Sequence, residues 1–181
     1  MTCSTTEIII TPANDNPALG TLALGDKIFP CALGKQGITL SKQEGDMKTP
    51  RGEFPLRSVF YRYDKLSKPI YSQIPMMAIL KEDGWCDDPK DRAYNQSVML
   101  PYHASAEHLW RDDELYDVII ILGHNDEPVE KGRGSAIFLH VAKEKGNGFE
   151  GTEGCIALKK QDLLEILPIL SPETTLKVVS Y

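Results

Sequence analysis

The chain has 181 residues, 41% of them hydrophobic, with 20 Lys and Arg against 26 Asp and Glu for a formal charge of −6. That length is enough to bury a core without metals or disulfides, and the acidic balance argues against a nucleic-acid partner, whose phosphates are held by clustered Lys and Arg. Four cysteines (Cys3, Cys31, Cys86 and Cys155) show neither close metal-ligand spacing nor the density of a disulfide-stapled fold, so a reducing compartment is expected and each is by default a small buried hydrophobe.

Residues 1–15 read MTCSTTEIIITPAND, with no Lys or Arg and one short apolar run, which is not the pattern of a secretory signal. No window reaches the ~18 apolar residues of a membrane span, so a cytoplasmic protein without membrane contact is expected. Period-two alternation predicts strands over 7–11, 21–24 and 27–33, the last two joined by Gly25-Asp26 as a two-residue hairpin turn. Further strands are predicted over 54–61, 75–80, 116–122, 136–141 and 175–180. Residues 62–111 contain Asp83-Gly84, Asp87-Asp88-Pro89 and Tyr94-Asn95, so they read as a long middle loop, with a short helix over 105–110. A helix over 159–167 places Leu163, Leu164, Ile166 and Leu167 on one face and is disturbed by Pro168. The expectation is a single, mainly β domain over residues 1–181, largely antiparallel, with a few short helices and no βαβ winding.

Gly146-Asn147-Gly148-Phe149-Glu150-Gly151 matches the G-x-G-x-x-G string of dinucleotide sites, but it neither ends a clear strand nor opens a helix, so it reads as a pliable loop. His140, closing the apolar run Ile137-Phe138-Leu139, and Cys155, following Gly154, carry more chemical promise. A thiol needs a neighbouring base to become a nucleophile at neutral pH, and two strands joined by a Gly-rich loop bring imidazole and thiol within reach. Gly154 permits a sharp turn that aims backbone N–H groups at an oxyanion. Metal binding by His124, Asp126, His140 and Cys155 is the weaker alternative, because no close ligand pair nucleates it. His103 and His108 read as solvated.

Together these residues resemble the L,D-transpeptidase catalytic domain, or YkuD-type, family. Its signature is a His, a loop, then Ser/Thr-His-Gly-Cys; here His140 is followed by Thr152-Glu153-Gly154-Cys155-Ile156-Ala157. The segment Glu44-Gly45-Asp46-Met47-Lys48-Thr49-Pro50-Arg51-Gly52-Glu53-Phe54 is similar to the family's G-D-x-x-T-P-x-G-x-F block, and 116–125 to its strand ending in Gly-Tyr-Asn. Glu153 stands where the signature has His, and Ala157 where it has Asn or Arg.

The resemblance implies a YkuD-like β-sandwich or barrel-like fold and acyl transfer on a peptidoglycan stem peptide, with Cys155 as nucleophile and His140 as base, without cofactor or metal. It also implies substrate contacts at Thr152 and Glu153. The middle loop, with Trp85, Asp87, Asp88 and Trp110, is expected to roof the pocket, and Arg133, in Gly132-Arg133-Gly134-Ser135, to meet a substrate carboxylate. With no export signal in view, a soluble muropeptide as substrate and water as acceptor are expected, giving an L,D-carboxypeptidase. The alternatives are an L,D-transpeptidase exported to the periplasm and a degenerate domain that binds stem peptides without cutting them.

Overall fold

The computed structural model describes residues 6–179. Its elements are β1 (Glu7–Pro12), β2 (Leu19–Leu24), β3 (Lys27–Ala32), β4 (Ile38–Thr39), β5 (Thr49–Pro50), β6 (Gly52–Tyr61), β7 (Met76–Ala78), β8 (Asp83–Cys86), β9 (Ser97–Met99), β10 (Ala106–His108), β11 (Val118–Leu122), β12 (Phe138–Val141), β13 (Glu144–Lys145), β14 (Gly148–Phe149), β15 (Ile156–Leu158), α1 (Lys160–Ile166), a 3₁₀ turn (Leu167–Ile169) and β16 (Thr175–Val178). The mainly β expectation holds.

The principal sheet runs β11-β12-β15-β3-β2-β1-β16-β6-β7, and β6 also pairs with β11, so the sheet closes into a barrel. Closure satisfies the edges that an open sheet would expose. β2 and β3 meet through Gly25-Asp26 with Leu24 opposite Lys27, as the turn chemistry predicts, and Gly25 takes φ +57°. β1 lies parallel to β16, and β12 parallel to β15. These long-range parallel pairs leave no local signal, since partners more than ten residues apart meet only once the barrel closes.

β11 explains where the site lies. Its five residues, Val-Ile-Ile-Ile-Leu, are all buried, as a strand covered on both faces requires. Val118, Ile120 and Leu122 point into the barrel with Ile8, Leu22, Leu139 and Leu176, under the lid of Leu163, Ile166 and Leu167 from α1 and the 3₁₀ turn. Ile119 and Ile121 point outward into a second cluster with Phe60, Ile79, Leu109, Tyr116 and Phe138. Each such side chain contributes about 1.5–3 kcal/mol on burial, so the outer layer is fastened to the barrel rather than draped over it.

That outer layer is the middle of the chain, and it corrects the long-loop expectation. β8, β9 and β10 form their own antiparallel sheet in the order β10-β8-β9. The helix expected over 105–110 is instead β10, with Ala106 opposite Cys86 and His108 opposite Gly84. A helix this short barely passes its nucleation cost, whereas pairing with β8 satisfies the same backbone and buries Leu109. Ser180, at the end of the last predicted strand, lies outside the described residues, as does Cys3. The G-x-G-x-x-G segment forms the β13–β14 hairpin and the loop after it, not a strand-to-helix turn.

Candidate active site

β12 and β15 lie side by side, His140 in register with Ala157, while across β11 His140 faces Ile119 and Phe138 faces Ile121. Strand side chains alternate between faces, so His140 and Phe138 emerge on the outer face, beneath the middle segment. Cys155, one residue before β15, packs against the same outer cluster. His140 and Cys155 therefore line one cavity of about 520 Å³, with Lys42, Glu44, Asp87, Glu107, Arg111 and Tyr116 among its walls.

The turn that presents Cys155 is held by hydrogen bonds from two threonines. Thr152 Oγ1 accepts from the Gly154 amide at 3.2 Å and donates to the Cys155 carbonyl at 2.6 Å, and Thr49, fully buried, donates to the same carbonyl at 3.4 Å. Gly154 sits at φ +144°, where a β-carbon would stand 3.0 Å from the Lys48 carbonyl. Only glycine fits there without strain. The Cys155 thiol donates to the Ala136 carbonyl at 3.1 Å and accepts from the Phe138 amide at 3.3 Å. Burial, reinforced by the Glu107 carboxyl, pushes the thiol up to about 12, while the Phe138 amide and Lys42 pull the other way.

His140 is buried, and Tyr116 meets its ring edge-on at 5.3 Å between centroids. Its Nδ1 lies 2.8 Å from the Val141 carbonyl. A carbonyl only accepts, so the neutral ring carries its proton on Nδ1 and leaves Nε2 as the base. Burial drives the imidazole down to about 4, against the pull of the Val141 and Leu115 carbonyls. At neutral pH the pair rests as thiol and imidazole. The cavity thus holds a thiol and a neutral imidazole with a free nitrogen, the two groups that nucleophilic acyl transfer by cysteine requires.

Residues 20–179 match the family model of the YkuD L,D-transpeptidase catalytic domain. The chain belongs to this family. No curated protein matches the chain. Among solved structures, the YkuD chain is similar to Bd1075 of Bdellovibrio bacteriovorus (14% identity, TM-score 0.45, covering 97% of this chain and 49% of that one). It is also similar to an L,D-transpeptidase from Mycobacterium smegmatis (14%, TM-score 0.43, 96% and 59%) and to L,D-transpeptidase 1 of Mycobacterium tuberculosis (12%, TM-score 0.37, 96% and 62%). It thus spans between about half and three fifths of the length of those chains.

The other residues expected at the site divide. Asp87, Ser135, Thr152 and Glu153 line the cavity of the YkuD domain with Cys155 and His140. Thr152 commits its hydroxyl to the Cys155 turn, and Ser135 donates to Glu44 at 2.7 Å. Asp87 brings an oxygen that is buried and unpartnered. Trp85 is not in the cavity wall: its ring packs edge-on against Phe138 and its indole N–H donates to Asn95 at 3.0 Å. Trp110 lies under the Arg62 guanidinium, and Arg133 pairs with Glu130 at 3.5 Å, both outside the cavity. The roofing role given to Trp85, Asp88 and Trp110 and the carboxylate-binding role given to Arg133 are therefore corrected: apolar packing claimed the rings, and the cation on the cavity wall beside β10 is Arg111.

Among the described residues no group of three His, Cys, Asp or Glu could hold a metal ion. Asp126 is committed to Arg57 at 2.8 Å, and His124 bonds the Arg133 carbonyl at 2.9 Å. His103 pairs with Asp91 at 2.8 Å on a side chain 70% exposed, and His108 is exposed. Cys31 and Cys86 are buried.

The scaffold around Cys155 was not legible in the sequence. Asn95 accepts from the Ala136 amide and donates to the His124 and Asn125 carbonyls at 2.8–3.0 Å, fixing the loop whose Ala136 carbonyl holds the thiol. Glu44 gathers the hydroxyls of Tyr94 and Ser135, and Tyr94 in turn accepts from the Gly134 amide. The Tyr94-Asn95 pair was visible only as a turn signal.

Proposed function

We propose that this chain is a cysteine-dependent L,D-carboxypeptidase that removes the terminal D-alanine from peptidoglycan stem tetrapeptides, acting on soluble muropeptides in the cytoplasm. The observation that carries the reading is that Cys155, in the turn entering β15, and His140, on the parallel neighbour β12, line one walled cavity. His140 Nε2 takes the thiol proton, and the sulfur attacks the carbonyl between the L-centre of the diamino acid and D-alanine. Backbone N–H groups at the Gly154-Cys155 turn receive the oxyanion. As the C–N bond breaks, His140 returns the proton to the departing amine, leaving a thioester on Cys155 and free D-alanine. Water then loses a proton to His140 and attacks the thioester, freeing the tripeptide and restoring the thiol.

At about 520 Å³ the cavity falls within the roughly 300–1,000 Å³ that holds one small ligand, room for a single stem-peptide arm. The test is incubation with a tetrapeptide, with and without an added D-amino acid, read by mass spectrometry. Tripeptide plus free D-alanine in both tubes supports the proposal. A tetrapeptide carrying the added D-amino acid as the main product supports a transpeptidase, and no turnover by protein that behaves like Cys155→Ala supports a binding domain.

A further inference from the structure

Lys42 is the buried cation of the cavity, and the cycle above does not use it. Its side chain is only 5% exposed and lines the cavity with Cys155. Its stem is threaded past Gly134, where a β-carbon would stand 2.8 Å from Lys42 Cγ and 3.0 Å from Cε. Its ammonium ends beside the nucleophile's turn: a β-carbon on Gly154 would stand 3.3 Å from Nζ. Glycines at 134 and 154 thus leave the channel that the lysine occupies.

Asp46 anchors the ammonium. It accepts from Lys42 Nζ and, at 2.9 Å each, from the amides of Gln43 and Lys48. Despite the upward push of burial, the Lys42 bond and those amides keep this carboxyl below the usual range. With three donors engaging Asp46, its charge is largely met locally. An ammonium carries three N–H donors, and Lys42 uses one of them on Asp46 among the described residues, leaving two for an anion in the cavity.

From this placement we infer that Lys42 is a catalytic residue acting by charge, held by Asp46 so that its ammonium stabilises the negative charge that arises on Cys155 sulfur and on the attacked carbonyl oxygen. The need for such a group is built into the site. Glu107 from β10 and Glu153 from the loop before the nucleophile both disfavour a thiolate, and the neutral His140 supplies no charge until it takes the proton. Arg111, on the cavity wall, is engaged with Asp113 at 2.6 Å. Lys42 is the cation that opposes the two carboxylates at the sulfur. The inference rests on the acyl-transfer reading but is tested apart from it.

The experiment is the rate of Cys155 alkylation by iodoacetamide at pH 8, which requires no peptide substrate, for wild type, Lys42→Met, Lys42→Gln and Lys42→Arg, each checked for a native melting transition. Lys42→Gln keeps a donor for Asp46 and serves if the methionine variant fails to fold. An opposite charge at close range shifts a pKa by roughly one to three units, so the neutral variants are expected to react about tenfold more slowly or worse, and Lys42→Arg to recover most of the rate. On tetrapeptide, kcat should fall with KM little changed. Folded neutral variants that alkylate as fast as wild type, or an arginine variant as slow as the neutral ones, would overturn the inference, as would a rise in KM alone. If alkylation responds as expected while wild type releases no D-alanine, the carboxypeptidase reading fails and the role of Lys42 stands.

Discussion

The Phe138 amide points at Cys155 sulfur from 3.3 Å, so the strand that carries His140 also donates directly to the nucleophile. Such a donor strengthens as the sulfur gains charge, and it belongs to the backbone of β12, where no side-chain exchange removes it. The pH dependence should follow from this shared strand. With the imidazole near 4 and the thiol near 12, the reactive form is the neutral pair, and kcat/KM is expected to stay flat from about pH 5 to pH 9, with limbs only outside that range. A narrow bell centred near pH 7 would contradict it.

The same groups set a stability profile. His140 is lowered from 6.5 to about 4, so between those values the unfolded chain binds the extra proton and stability falls as pH drops, by about 3 kcal/mol in all. Cys155 is raised from 9.0 to about 12. Its contribution is fully present below pH 9 and is lost as pH rises toward 12. Urea unfolding of wild type and His140→Asn between pH 4 and 7 checks the first limb: the variant should show a shallower slope.

Gly154→Ala should cost about 1–3 kcal/mol of stability and at least tenfold in kcat/KM. The β-carbon meets the Lys48 carbonyl at a φ that L-residues avoid, and any relief must move the Cys155 turn. Denaturant unfolding and D-alanine release measured on one preparation read both effects; wild-type values in either would count against the strained turn.

Asn95→Ala should destabilise the protein by about 3 kcal/mol, since it orphans the buried Ala136 amide and two carbonyls. Activity should fall further than stability alone explains, because Ala136 holds the thiol. Alkylation of Cys155 at a temperature well below the melting transition separates the two effects.

Asp87→Asn should raise stability by about 1 kcal/mol. The change removes a charge from a carboxylate with a buried, unpartnered oxygen beside Glu107. A lower melting temperature would show that this carboxylate is satisfied in the folded protein.

Much of the barrel was legible because its strands are short, alternating and punctuated by turns: β2 and β3 with Gly25-Asp26 between them, β6, and the apolar run of β11. Gly154-Cys155 and a histidine closing an apolar strand also pointed to one place, since Cys155 and His140 line the same cavity. What escaped was settled by distant pairing. Ala106 to His108 reads as helix locally and becomes strand only because β8 lies opposite. Trp85 and Trp110, promising as pocket aromatics, were taken by Phe138 and Arg62. Lys42 carried no signal in the sequence, since its burial depends on Gly134 and Gly154, far along the chain.

If Cys155 forms a thioester that water resolves, turnover of a stem tetrapeptide in ¹⁸O-water gives free D-alanine without label, a tripeptide carrying one ¹⁸O at its new carboxylate, and neither product from Cys155→Ala. Equal release of D-alanine by Cys155→Ala, or unlabelled tripeptide from wild type, would contradict it.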